Sequence, residues 1–219
     1  MQALLVHSPL VGPSSMRRLA DELAEFGWDV TAPDLRGGIT SPDDFTHLAT
    51  SAATEVDVDV VIAHSGAGAL LPVIANDVRA AAIYVDAIVP GPTGHSPSAG
   101  FLALLDDLSV QAGLLPPWHE WWPASTMERL LPDPAERETL TRDVPRVPRS
   151  FYDHAVPLPD EWWTAPAAYL QLSPAYDEDR ARAESYGWPT ASLDGQHLDL
   201  VTRPAEVAAL VRELVDRLR

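Results

Sequence analysis

Cysteine is absent from the 219 residues, which removes disulfides, thiolate metal sites and cysteine nucleophiles together and makes the chain indifferent to redox compartment. Lysine is absent as well: the 15 basic side chains are all arginine, set against 32 Asp and Glu. The resulting formal charge of -17 repels phosphate backbones and anionic lipid, so neither nucleic acid nor a membrane is expected as a partner. No apolar run approaches bilayer-spanning length, and no basic leader precedes the apolar stretch at residues 3–6; the expectation is a cytoplasmic protein. His47, His95, His119 and His154 lack metal-ligand spacing, and there is no glycine-rich phosphate loop or dinucleotide fingerprint. No metal and no cofactor are expected.

What remains is ordinary globular material. Hydrophobic residues make up 46% and charged residues 21%, a balance that supports one buried core carrying one sizeable insertion. Strand-like runs at residues 3–7, 28–32, 58–63 and 80–85 alternate with helix-like periods, the pattern of consecutive βαβ units and a parallel sheet. Ser14 or Ser15 is expected to cap a helix bearing Met16, Leu19, Leu23 and Phe26, with Gly27 as its stop. Ser41-Pro42-Asp43-Asp44 opens a second helix, and a third, starting at Gly66, should bend at Pro72 for want of an amide donor.

The alternation lapses between residues 90 and 166, where many of the prolines gather with Trp118, Trp121, Trp122, Trp162 and Trp163. Helices are expected there over residues 101–108 and after the capping-box pattern Asp133-Pro134-Ala135-Glu136. Strands at residues 167–172 and 190–193 then resume the pattern, with a helix at 177–186 stopped by Gly187 and a last helix buried along Val207, Leu210, Val211, Leu214 and Leu218. The expected fold is α/β, a mostly parallel, doubly wound sheet from residues 1–90 and 166–219, with residues 91–165 as a mostly helical lid.

The sharpest chemical signal is Val60-Val61-Ile62-Ala63-His64-Ser65-Gly66-Ala67-Gly68, a strand that breaks at a serine and leaves it as a helix. Ser65 is the candidate nucleophile. Such a turn needs small side chains two residues either side of the serine, and Ala63 and Ala67 stand where the commoner G-x-S-x-G pattern has glycine. Here the chain resembles the α/β-hydrolase family over nearly its whole length. Three further segments carry the resemblance: Ala32-Pro33-Asp34-Leu35-Arg36-Gly37, Tyr84-Val85-Asp86-Ala87-Ile88-Val89-Pro90, and Gly195-Gln196-His197-Leu198 with Arg203-Pro204. It is most similar to the small cofactor-independent branch that contains methylesterases and hydroxynitrile lyases.

The resemblance implies that His197 is the general base for Ser65, so the two should meet within proton-transfer reach. It leaves two acids to steady the histidine, or a serine–histidine dyad with none. The family's usual position follows the next-to-last strand, where the chain reads Leu172-Ser173-Pro174-Ala175-Tyr176 and the first acid is Asp177. Asp86, at the end of the preceding strand, is preferred, because Asp177 suits a helix start. For the oxyanion hole the resemblance implies the amide of Gly66 and one from the loop His7-Ser8-Pro9-Leu10. Pro9 has no amide hydrogen, which leaves Leu10, the Ser8 hydroxyl, or an altered reaction. His7 should orient this loop or the substrate, and His64 should pack under the turn.

The lid tryptophans either pack the insertion or form an aromatic pocket above Ser65 for a flat, apolar ligand. The expected function is hydrolysis of a small apolar ester, lactone or thioester by a Ser-His-Asp set, in bacterial secondary metabolism. A lyase or cyclase using the same pair for proton transfer is the alternative, and a non-catalytic binder on this fold is the third reading. The expected partner is a small apolar substrate, and homodimerisation is left open.

Overall fold

The computed structural model describes residues 1–54 and 57–219. In chain order the elements are β1 (Gln2–Val6), α1 (Ser14–Glu25), β2 (Asp29–Thr31), α2 (Pro42–Thr54), β3 (Val60–Ser65), α3 (Leu71–Val78) and β4 (Ala81–Ala87). Then come α4 (Ala99–Asp107), α5 (Ala124–Leu130), α6 (Pro134–Arg142), β5 (Ala167–Gln171), α7 (Asp177–Ser185), β6 (Thr190–Ser192), α8 (Asp199–Thr202) and α9 (Pro204–Arg217). Among the described residues no helix is long and apolar enough to cross a membrane.

The strands form one sheet in the order β2-β1-β3-β4-β5-β6, every neighbouring pair parallel. Side chains alternate across it, as a period of two requires. Ala3, Leu5, Val60, Ile62, Ile83, Val85 and Leu170 face Met16, Leu19 and Leu23 of α1 and Val207, Val211 and Leu214 of α9. Leu4, Val6, Val61, Ala63, Tyr84 and Tyr169 face Phe45 of α2, Leu71 and Ile74 of α3 and Ala183 of α7. Strands covered on both faces read as near-continuous apolar runs, and each fully buried Leu or Ile contributes about 1.5–3 kcal/mol.

Helix ends differ in detail from the reading above. Ser14 and Ser15 are helical residues, not caps: the Ser14 amide and hydroxyl reach the Asp143 carboxylate across the fold, and Ser15 bonds back to the Gly12 carbonyl. Glu136 does not close a capping box on α6, because it pairs with Arg18 of α1, leaving Asp133 as the cap through the Ala135 amide. Pro72 produces no bend. A short 3-10 turn, Gly66–Ala69, precedes α3 and puts Pro72 in its first turn, where a missing donor is harmless. Gly27 and Gly187, both at φ 78°, stop α1 and α7 as expected.

Because β1 is flanked by β2 on one side and β3 on the other, the chain's winding reverses between β1 and β3. Loops leaving the carboxyl ends of these two strands diverge there and open the crevice in which such sheets hold ligands. The loop after β1 begins at His7, and β3 ends at Ser65.

Candidate active site

Ser65 sits at φ 59°, ψ -129°, the sharp bend between β3 and the 3-10 turn. A side chain in this region costs about 1–3 kcal/mol and persists only where its surroundings hold it. Gly68 shows what holds it: a Cβ there would collide with the Ile88 carbonyl oxygen and crowd the Ala87 side chain. The tight approach therefore falls at Gly68 against the end of β4, while Ala67 is simply buried. Beside Ser65 the β3–β4 register slips, pairing His64 with Val85 but Ser65 with Ala87. Asp86 is the residue thrown out of the ladder, at φ 42°, and a bulge of this kind re-aims its side chain.

That side chain meets His197. Asp86 Oδ2 is 2.7 Å from His197 Nδ1, with Asp86 fully buried and the histidine side chain 16% exposed. The same carboxylate accepts the Ser173 hydroxyl at 2.7 Å and the amides of Leu172 and Ser173 at 2.8 and 2.9 Å. Burial opposes its charge, yet the His197 hydrogen bond and charge, with the Ser173 and Leu172 donors, hold the carboxyl below its usual value. An ionised acceptor on Nδ1 makes that nitrogen the proton carrier and leaves the Nε2 lone pair free. Asp177, the other candidate acid, is occupied by the Gln171 amide at 2.5 Å and begins α7.

Contrary to expectation, Ser65 Oγ and His197 do not hydrogen-bond to each other. Ser65 Oγ pairs with the Tyr176 hydroxyl at 3.2 Å, and the Tyr176 ring lies parallel to the His197 imidazole, centroids 5.1 Å apart and planes 11° apart. On the imidazole's other side stands His64, with centroids at 4.4 Å. His64 Nε2 donates to the His197 carbonyl at 3.0 Å, and its Nδ1 is buried without a partner. Burial, reinforced by His197, pushes its pKa down to about 3, so this ring stays neutral. Sequence reasoning missed Tyr176 and Ser173; both lie in the segment after β5, where neither residue type carries a catalytic pattern of its own.

On the β1 side, His7 is buried and serves the loop rather than a substrate. Its Nε2 accepts the Leu35 amide at 3.0 Å, which leaves Nδ1 to donate to the Ser8 carbonyl at 2.9 Å. Leu10 does not offer a free donor, because its amide is turned onto Ser8 Oγ at 3.3 Å, and one hydrogen serves one acceptor well. Ser8 Oγ itself lies 3.3 Å from where a Cβ on Gly66 would stand. Pro9 packs beside it, its ring carbon 3.8 Å from the same point.

The tryptophans divide. Trp162 and Trp163 lie far from Ser65: Trp162 packs edge-on against Trp163, Tyr186 and Trp188 and lines a cavity of about 390 Å³ with Ala81, Ala82 and Ala167, at the amino ends of β4 and β5. They precede a strand of a parallel sheet, so they must sit at the end opposite the one where β3 delivers Ser65. Trp118, Trp121 and Trp122 form a separate group within the insertion. Trp121 lies against Phe101 and donates to the Pro116 carbonyl, Trp118 meets Trp122 edge-on, and the Trp122 indole nitrogen is buried without a partner.

Comparison with known proteins agrees with this architecture. A model of the alpha/beta hydrolase family matches residues 3–210, while no curated protein sequence matches the chain significantly. Among solved structures, an extracellular alpha/beta-hydrolase from a Paenibacillus species, described as homologous in structure and function to tobacco salicylic acid binding protein 2, superposes with TM-score 0.78 at 16% identity, covering 98% of each chain. Tomato methylketone synthase I, complexed with 2-tridecanone, gives TM-score 0.78 at 13% identity over 100% of this chain and 98% of its own. Polyneuridine aldehyde esterase gives TM-score 0.76 at 17% identity, covering 98% of each. With the family match running from the first strand into the last helix, this chain belongs to the alpha/beta hydrolase family and is an enzyme of that family.

Proposed function

We propose that this protein is a serine esterase acting on a small apolar ester, with lactones and thioesters in the same class. Ser65 is the nucleophile, His197 the base that takes and returns its proton, and Asp86 the acid that fixes the imidazole and steadies its charge. The observation that carries this is the 2.7 Å bond from Asp86 to His197 Nδ1, made from a strand end adjacent to the strained turn of Ser65. The oxyanion hole consists of the Gly66 amide and the Ser8 hydroxyl: Ser8 accepts from Leu10 through a lone pair, so its own proton remains available beside Gly66. Esterases among the structural relatives support the reaction class. Residues 91–165 act as the lid, and Trp118, Trp121 and Trp122 supply its apolar wall.

Fluorophosphonate treatment followed by mass spectrometry tests the nucleophile directly. A single adduct on Ser65, lost in Ser65→Ala and in His197→Ala, is the expected result, and a folded wild-type protein without that adduct defeats the reading. One observation favours a second reading. Pro9 removes a backbone donor from the hole, and a lyase or cyclase using the same pair for proton transfer needs less oxyanion stabilisation. Product formed in ¹⁸O-labelled water separates them, since hydrolysis incorporates the label and the alternative does not.

A further inference from the structure

The loop leaving β5 braces Asp86 through Leu172 and Ser173, and its last residue then reaches the reacting groups themselves. Tyr176 has its hydroxyl 3.2 Å from Ser65 Oγ and its ring against the face of His197. Sheet order decides on which side of the nucleophile this contact falls. The β1 loop approaches Ser65 from one side of β3, whereas the loops after β5 and β6, carrying Tyr176 and His197, approach from the other. Tyr176 therefore stands on the base side, apart from the donors at Gly66 and Ser8.

We propose that Tyr176 is a further catalytic residue, its phenol donating a hydrogen bond to Ser65 Oγ while that oxygen takes on and later gives up the acyl group. The inference rests on the serine-esterase reading above. A phenol is more acidic than an aliphatic alcohol, so in this O–H···O pair tyrosine is the donor and the serine oxygen the acceptor. Burial disfavours the phenolate and raises the ionisation of Tyr176 above the ordinary tyrosine range, so the donor proton stays in place at neutral and mildly alkaline pH. With a lone pair of Oγ engaged, the serine's own proton must point away from the phenol and is left for the imidazole.

The steps balance without any proton leaving Tyr176. In acylation the Ser65 O–H bond breaks, its proton passes to His197 Nε2, and Oγ bonds the substrate carbonyl carbon. The leaving group then departs with the proton returned from Nε2. In deacylation a water gives a proton to Nε2 as its oxygen bonds the acyl carbon, and the bond from that carbon to Oγ breaks with the proton restored to Oγ. Negative charge gathers on Oγ as the first step begins and as the second ends, and a fixed donor in a dry site stabilises both moments.

Wild type, Tyr176→Phe and Tyr176→Leu are compared for the rate of Ser65 phosphonylation by a fluorophosphonate and for kcat and KM on p-nitrophenyl butyrate, with thermal unfolding as the folding control. Phe keeps the ring on His197 and removes only the hydroxyl. The expected result is that Tyr176→Phe slows labelling and lowers kcat by about 10- to 100-fold with KM changed less than about 3-fold, and that Leu adds little further loss. If Phe matches wild type while Leu alone fails, the ring is packing and the proposal is overturned. It is overturned equally if Phe reacts faster than wild type, because the hydroxyl would then restrain the nucleophile. A wild type that labels normally beside an unaffected Phe variant removes this inference alone, whereas a wild type with no Ser65 adduct removes the esterase reading and the inference with it. Should Leu fail to fold, the Phe comparison decides by itself.

Discussion

At the carboxyl ends of the strands, hydrogen bonds of 2.7 to 3.2 Å tie Ser173 to Asp86, Asp86 to His197 and, separately, Tyr176 to Ser65. At the amino ends, Tyr84, Trp162, Tyr186 and Trp188 form a slab of rings with centroids 5.1 to 5.8 Å apart. Both ends carry non-glycine residues at positive φ, Ser65 and Asp86 at one and Arg79 and Glu161 at the other. The difference lies in what each end must satisfy. A parallel sheet sends every strand the same way, so groups that follow strands converge at one edge and can be tuned against each other, while groups that precede strands meet at the opposite edge and mainly close the core. Buried charge then belongs to the first edge, and apolar area to the second.

Asp86→Asn should separate the two edges most sharply, lowering kcat by about a thousandfold to ten-thousandfold on an activated ester, since the amide no longer fixes the imidazole. Trp162→Ala is the reverse case. Truncating a buried tryptophan should cost about 3–5 kcal/mol in denaturant unfolding, while the folded fraction keeps its kcat; a matching collapse of kcat would erase the distinction between the edges.

Acid titration gives a gentler contrast. The native carboxyl of Asp86 is held below its ordinary 3.8, so its stabilisation is present above that value and is lost as pH falls through the depressed native value. Wild type should therefore lose more melting temperature than Asp86→Asn on acidification from pH 5 to below the ordinary carboxylate range, and equal slopes would remove the linkage. Asp177→Asn is expected to do least, changing kcat by less than about 3-fold, because its partner is Gln171 and not the imidazole. A loss approaching that of Asp86→Asn would reverse the assignment of the acid.

The sheet and its helices were legible because burial on both faces leaves apolar runs of strand length, and because Gly27, Gly187 and Ser41-Pro42 punctuate them. The serine turn was legible from small residues around Ser65, though the requirement at Gly68 was not, since it arises from the neighbouring strand. The location of Trp162 and Trp163 was readable in principle: they directly precede β5 and so had to lie at the amino edge. Leu10 was beyond reach, because its amide is turned away by Ser8, a side chain two residues earlier. Tyr176 was hidden for a similar reason. Nothing local to Leu172-Ser173-Pro174-Ala175-Tyr176 records that β3 ends in line with it.

Local chemistry in the chain settles that a parallel α/β sheet forms, that a serine sits in its tightest turn and that a histidine follows its last strand, because periodicity, turn residues and missing side-chain bulk act within a few positions. Which carboxylate faces the histidine, which hydroxyl touches the serine and which tryptophans merely pack are decided by register and strand order. A slip of one residue beside Ser65 is enough to swing Asp86 out of the ladder toward His197, and no property of Asp86 or its neighbours in the chain encodes that slip without the strands on either side.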